Sequence, residues 1–221
     1  MTLNASSNER IIGIVEDCIQ HLIEDFRKHP ERYNTENDVV CNFYLQMRTE
    51  FSKDDSPTIR SIGPSLIHTE FPTPFRCKMG DGNFTHANDD ERTESGKKYK
   101  RGHFDIVILN PSSVARFENR LLRSQDYESY KENVAPHLDR NDPLILYGIE
   151  FGYEREPLTG NGAKMCNKKA IQDHDKLDEA MKIPGFMEKR KTVVFAQPRG
   201  AEERQTLLEL KNREGVELVI F

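Results

Sequence analysis

Three carboxylates lie inside segments that otherwise have the composition of β-strands. Glu150 interrupts the apolar run LILYGIEF, Asp105 lies within HFDIVILN, and Glu70 lies within IHTEFP. A buried carboxylate is costly unless it is neutralised, paired or bound to a metal. Facing residues on neighbouring strands, about 4.8 Å apart, can converge on one ion. A divalent cation such as Mg²⁺ takes carboxylate oxygens and can activate a water for attack on a phosphoryl group.

Each acid also has an ordinary structural explanation. Glu70 lies beside a proline and, taken alone, is typical of a solvated strand end. Asp105 could pair with Arg101 or His103. Glu150 is the hardest to explain in this way, because its strand is apolar from its first residue. One acid on each of three successive strands favours a shared site.

Hydrophobic periodicity predicts the elements that must position these acids. The predicted helices cover residues 9–28, the segment NTENDVVCNFYLQMRTEF with Thr35 as its N-cap, residues 113 to about 136, NKKAIQDHDKLDEAMKI, and AEERQTLLELKNREG. The predicted strands are SLIHTEFPTPF (ended by Pro72 and Pro74), GHFDIVILN, residues 143–151, KTVVFAQ and VELVIF. Between the first two strands, residues 76–101 lack any apolar period and predict a long mobile hairpin loop, with its greatest mobility over residues 77–100.

The order of these elements predicts one α/β domain over residues 1–221. We expect a mixed sheet of about five strands with helices on both faces, antiparallel at first and then joined by strand–helix–strand crossovers, with helix 9–28 packed on the core. The four cysteines form no C-x-x-C pair, which favours free thiols in a reducing, cytoplasmic setting. No apolar run reaches membrane-spanning length, so no membrane partner is expected. The net charge of −5 argues against a polycationic DNA-coating protein.

The pattern resembles the PD-(D/E)XK nuclease superfamily, whose restriction-endonuclease-like core has the order αβββαβ. The resemblance covers the chain from about Thr35 to its end and rests on FD in the second strand and IE in the third. It implies that Asp105 and Glu150 bind Mg²⁺ or Mn²⁺, with Glu70 as a further metal ligand. Glu36 also falls where some members carry an additional acid, although acids are common in first helical turns.

The chain departs from this family at the residue two positions after Glu150. The family carries a lysine there, whereas this sequence has Gly152. Some members supply the lysine from the following helix instead, and here Lys176 could do so, as could Lys168 or Lys169 at the start of that helix. An exposed Lys176 that pairs along the helix surface with Asp173 or Glu179 is an equally good interpretation.

The resemblance therefore implies a metal-dependent nuclease-like protein that hydrolyses DNA phosphodiester bonds, with Asp105, Glu150 and Lys176 as catalytic residues. The basic run GKKYKRGHFD, directly before the Asp105 strand, could contact phosphates, and its Tyr99 could stack on a base. The alternative is a catalytically inactive member of the same fold that acts as a binding or regulatory module.

Overall fold

The computed structural model describes residues 5–80, 83–87, 91–97, 99–123, 127–154, 162–197 and 201–221. Its α-helices are α1 (Ala5–Lys28), α2 (Glu36–Lys53), α3 (Pro57–Leu66), α4 (Pro111–Arg123), α5 (Tyr127–Asn133), α6 (Gly162–Met181) and α7 (Ala201–Lys211). Its strands are β1 (Ile67–Gly80), β2 (Asn83–Ala87), β3 (Arg101–Leu109), β4 (Ile145–Glu154), β5 (Met187–Ala196) and β6 (Val216–Ile220). Within the described ranges, no helix is both long and apolar enough to cross a membrane.

The strands form one mixed sheet in the order β2-β1-β3-β4-β5-β6. Strands β1 to β4 pair antiparallel, whereas β4, β5 and β6 pair parallel. Parallel neighbours need a crossover connection, and α6 and α7 lie in those two connections. The predicted α/β class and mixed sheet are confirmed, with six strands in place of about five.

Apolar side chains cover both faces of the sheet. On one face α1 and α2 bury residues such as Phe26 and Phe43 against Ile149 and other strand residues. On the other face α6 contributes Leu177 to a second cluster with Val107 of β3. Helix α2 begins as predicted, because the Thr35 side chain accepts the Asp38 N–H and the Asp38 carboxylate accepts the Thr35 N–H.

Two predictions for the first half of the chain are wrong. Strand β1 does not end at Pro72 and Pro74 but continues to Gly80. A register shift between Pro72 and Arg76 accommodates the prolines, which have no backbone N–H to donate to the neighbouring strand. The expected loop over residues 77–100 contains the end of β1 and all of β2, which pair as a hairpin; residues 81–82, 88–90 and 98 lie outside the described part. In addition, α3 precedes β1 where no helix was predicted.

The first prediction concerns the turn before β5, where Gly185 has φ +74° and an added Cβ would lie 2.6 Å from the Asp139 carbonyl carbon. Gly185→Ala should lower the free energy of unfolding by at least about 2 kcal/mol, because it combines left-handed strain with a backbone clash. Urea denaturation measures the change.

The matched control is Gly13→Ala in α1, where an added Cβ meets nothing within 4 Å. Alanine is the better helix former, so this variant should gain up to about 1 kcal/mol. Equal stability of the two variants would contradict the proposed clash.

Candidate functional site

The site begins where β3 and β4 cease to pair. Their register runs from Leu109–Ile145 to Ile106–Ile149. At the next position the Asp105 carboxylate, rather than a ladder carbonyl, accepts the N–H of Phe151 at 2.7 Å. The strands therefore part at the two acids that the sequence singled out, and a side chain satisfies the freed backbone donor.

Glu150 is buried, with only 1% of its side chain exposed, and its counter-charge is Lys176. The Lys176 Nζ lies 2.7 Å from Glu150 Oε1, which makes a close ion pair. The contact is short enough for a charge-assisted hydrogen bond, which lowers the pKa of Glu150 against the effect of burial, although its angles depart from ideal geometry. No other described group donates to Oε1.

Lys176 is itself nearly inaccessible, with 8% of its side chain exposed. Its Nζ donates to the His103 carbonyl at 2.6 Å and to Asp173 Oδ1 at 3.1 Å. The surface pairing of Lys176 that the sequence also allowed is therefore wrong, because Asp173 is buried with it. An ammonium group surrounded by three oxygens joins β3, β4 and α6 at one point.

Asp173 is a site residue that the sequence analysis missed. It is spaced with Ala170, Leu177 and Ala180 on one stripe of α6, and all four are buried. An acid at a position of an apolar helical stripe is the signal that could have revealed it.

Burial and like charges shift the pKa values of these acids upward. Burial raises the pKa of Glu150 well above its usual range; Lys176 opposes this shift, and Asp105 and Asp173 add to it. Burial raises the pKa of Asp105 to about 6, with Asp173 and Glu36 contributing in the same direction against the Phe151 hydrogen bond. Burial alone would lower the pKa of Lys176, but Glu150 and Asp173 outweigh it and the pKa is raised. The cluster thus has more negative than positive charge in a low-dielectric place.

A second ion pair lies closer to solvent. Lys169 of α6 has its Nζ 2.6 Å from Glu36 Oε1, in the first turn of α2, with 53% and 28% of the two side chains exposed. Burial lowers the pKa of Lys169, but Glu36 and the more distant Asp173 and Asp105 raise it overall. Glu36 and Lys169 therefore lie within electrostatic reach of the buried acids. The side chain of Lys168 lies outside the described part of the chain.

The position two residues after Glu150 is covered by a helix. A Cβ on Gly152 would lie 3.4 Å from the Ala170 Cβ and 3.4 Å from the Val194 methyl groups. Ala170, three residues before Asp173 on the same face of α6, thus covers Gly152. Lys176 contacts Glu150 from a later turn of the same helix.

Glu70 is not brought into this cluster. It is exposed, has φ +51°, and interrupts the pairing of β1 with β3 between Thr69 and Phe71. A positive φ is uncommon for glutamate and marks a local irregularity. In the residues that the structure describes, no three His, Cys, Asp or Glu side chains group together in a way that could hold a metal ion. Glu70 lies opposite Asp105 in the register of β1 and β3, but it forms no such group with Asp105 and Glu150 in this part of the chain, and its role as a metal ligand stays a prediction.

Asp105 and Glu150 remain as two adjacent carboxylates that fit a divalent cation. Apart from Lys176, no described group donates to Glu150 Oε1, and burial raises both pKa values, with negative neighbours adding to the shift. Mg²⁺ commonly uses one or two carboxylates and fills its other positions with water and substrate oxygens. The donor set suits such an ion better than it suits zinc, which prefers imidazole and thiolate ligands.

A basic segment runs beside the cluster. The Cys77 N–H donates to the Lys100 carbonyl at 2.9 Å, Arg76 donates to the Tyr99 carbonyl at 2.7 Å, and the Lys78 Nζ lies 5.6 Å from the centre of the Tyr99 ring. Gly102 follows, where an added Cβ would lie 3.5 Å from Lys176 Cδ. Lys78 and Lys100 are exposed and lie next to Cys77 and near Gly102, the part of this segment that approaches Lys176. Lys97 is exposed as well, and Lys98 lies outside the described residues.

Comparison with known proteins gives no relative: no protein-family model matches the chain, and neither a curated protein nor a solved structure matches it significantly.

The second prediction follows from the raised pKa of Asp105. A folded state that binds a proton more tightly than the unfolded state loses stability as pH rises from about 4 through about 6. Asp105→Asn keeps an acceptor for Phe151 and cannot titrate, so it should be more stable than the wild type by about 3 kcal/mol above pH 6. This difference should vanish near pH 4, measured by urea denaturation across that range.

Asp55→Asn is the control, because the Asp55 side chain is fully exposed. A gain for Asp105→Asn that is independent of pH would show that burial of the charge is not its cause.

The third prediction concerns the buried pair of Lys176 and Glu150. Lys176→Met leaves the acids without their cation and should destabilise the fold by about 3 kcal/mol at pH 8. In a double-mutant cycle with Glu150→Gln, the double variant should recover at least about 1 kcal/mol of that loss. Additive effects would mean that the two charges are not coupled.

Proposed function

We propose that the chain is a metal-dependent nuclease-like protein that hydrolyses DNA phosphodiester bonds. The observation that carries the proposal is the buried pair Glu150–Lys176 next to Asp105, at the point where β3 and β4 part. Strongly shifted pKa values of adjacent acids are typical of functional sites, since a fold gains no stability from them.

Asp105 and Glu150 would hold Mg²⁺ or Mn²⁺ by their carboxylate oxygens. When bound, such an ion would lower the pKa of a coordinated water and neutralise charge on the phosphoryl group. Asp105 is held in place by the Phe151 N–H, and Glu150 by Lys176. Carboxylates fixed in this way need little rearrangement when a cation arrives.

Lys176 would supply the positive charge that the family carries as a lysine at the position of Gly152. Its ammonium opposes the effect of burial on the pKa of Glu150 and fixes the orientation of that carboxylate, while Asp173 and the His103 carbonyl hold the ammonium itself. Phosphoryl transfer depends chiefly on positioning and on fixed charge near the reacting oxygens.

The order of elements supports the same proposal. Helix α2, strands β1, β3 and β4, helix α6 and strand β5 follow the αβββαβ order of a restriction-endonuclease-like core, with α3, β2, α4 and α5 inserted between them. Asp105 would lie on the second core strand and Glu150 on the third. Cys18, Cys41 and Cys77 are free thiols, which suits a cytoplasmic protein.

DNA is the proposed partner because a basic segment directly precedes the Asp105 strand and approaches Lys176 at Gly102. Lys78, Lys97 and Lys100 could contact phosphates on either side of the scissile bond. The chain as a whole is acidic, so this local basic surface would determine where a polyanion docks.

The fourth prediction is that the wild type cleaves members of a DNA panel (single-stranded, duplex, branched and circular) in Mg²⁺ or Mn²⁺ and not in EDTA. Asp105→Asn and Glu150→Gln should each lower the rate on the order of 100-fold or more, because each removes a charged metal ligand. Circular dichroism verifies that the variants fold, and Asp55→Asn should cleave like the wild type.

The alternative is a non-catalytic binding module of the same fold. Absence of cleavage by the wild type across several metals and all substrates, together with retained DNA binding, would favour it. Cleavage that persists in Asp105→Asn would instead reject the proposed site.

A further inference from the structure

The two lysines that α6 directs toward the acids differ in access. Lys169 and Lys176 are seven residues apart, so they lie on the same face of the helix, about two turns or 10 Å from each other along the axis. Lys176 has three oxygens within 3.1 Å of its Nζ and is 8% exposed, whereas Lys169 is 53% exposed and pairs with Glu36.

Lys176 is poorly placed to reach a substrate. Contact with a phosphate would require its ammonium to leave Glu150, Asp173 and the His103 carbonyl, and it would leave buried carboxylates without a counter-charge. Breaking a buried pair from one side is strongly unfavourable. Its position suits a positioning role toward Glu150.

Lys169 can change partners at little cost. Ion pairs with this degree of exposure contribute little to stability, so a phosphate oxygen can replace the Glu36 carboxylate without loss. Lys169 also lies one helical turn before Asp173 on α6, and its neighbour Ala170 packs over Gly152, two residues after Glu150. A phosphate held at those acids would thus lie within reach of its long side chain.

We infer that Lys169, rather than Lys176, contacts the substrate phosphate, and that Glu36 is its resting partner, which it leaves when a nucleic acid binds. This inference rests on the proposed function, of which it specifies the phosphate contact.

The exchange has a structural consequence. The Lys169–Glu36 pair connects α6 with α2, which pack on opposite faces of the sheet. Binding of a phosphate replaces that connection and frees the Glu36 carboxylate. In the free protein Glu36 holds Lys169 near the site and competes with phosphate for it.

The fifth prediction uses binding of a fluorescein-labelled DNA duplex, followed by anisotropy with Ca²⁺ as the cation at several salt concentrations. Lys169→Met should weaken binding about five- to tenfold and reduce the slope of log K against log salt by about 0.9, which corresponds to one lost phosphate contact. Glu36→Gln should tighten binding several-fold, because the competing carboxylate is gone. In cleavage assays Lys169→Met should raise KM.

Lys182→Met is the matched control, because Lys182 is an exposed lysine near the end of the same helix that pairs with Glu179. It should leave both affinity and salt slope unchanged. If Lys169→Met behaves like Lys182→Met, the inference is overturned while the proposed function stands. If Glu36→Gln weakens binding as much as Lys169→Met does, Glu36 is not a competing partner.

The outcomes also separate the inference from the proposed function. A wild type that binds DNA but does not cleave it, with binding that depends on Lys169, supports the phosphate contact and rejects hydrolysis. A wild type that binds no DNA overturns both.

Discussion

The contact of Lys176 with Glu150 is the constraint on which the arrangement of the site depends. A fully buried glutamate needs a cation, and this one comes from the helix that directly follows its strand in the chain. The helix can come so close because Gly148 has no side chain; a Cβ there would lie 2.5 Å from the Met187 Cε and 3.1 Å from a Leu177 methyl group. Strand β4 thus has a glycine, Gly148, where α6 packs against it and a glutamate, Glu150, where Lys176 contacts it.

Charge balance explains why this cluster is better understood as functional than as structural. Glu150, Asp173 and Asp105 lie near a single buried ammonium, so the pair does not neutralise its surroundings. Replacing such groups by apolar residues of similar size often stabilises a protein. A fold that keeps three acids here gives up stability, and this is common where chemistry or binding requires a preformed site.

The sequence predicted most of the fold because its strands and helices have clear apolar periods. It failed at β1, where two prolines looked like an end but fall at a register shift, and at α3, a short helix with Pro64 inside. In the site, Asp105 and Glu150 could be predicted because a charged residue in an apolar strand is unusual. Lys176 could be predicted because Gly152 occupies the position where the family carries a lysine, so another lysine had to be considered. Asp173 was missed although its place on the apolar stripe of α6 was a usable signal. The contact of Glu36 with Lys169 could not be predicted, because it depends on how α2 and α6 lie against the sheet.

The position of α6 in the crossover between β4 and β5 has a consequence for the way the protein is made. A ribosome releases β3 and β4 before α6, so the antiparallel contact of these strands can bring Asp105 and Glu150 side by side while Lys176 is still to be synthesised. Helix α6 packs against both β4 and β5, and β5 joins β4 in parallel only after the helix has been made. A nascent chain that has reached only β4 therefore contains both acids without the ammonium of Lys176, which arrives later in translation.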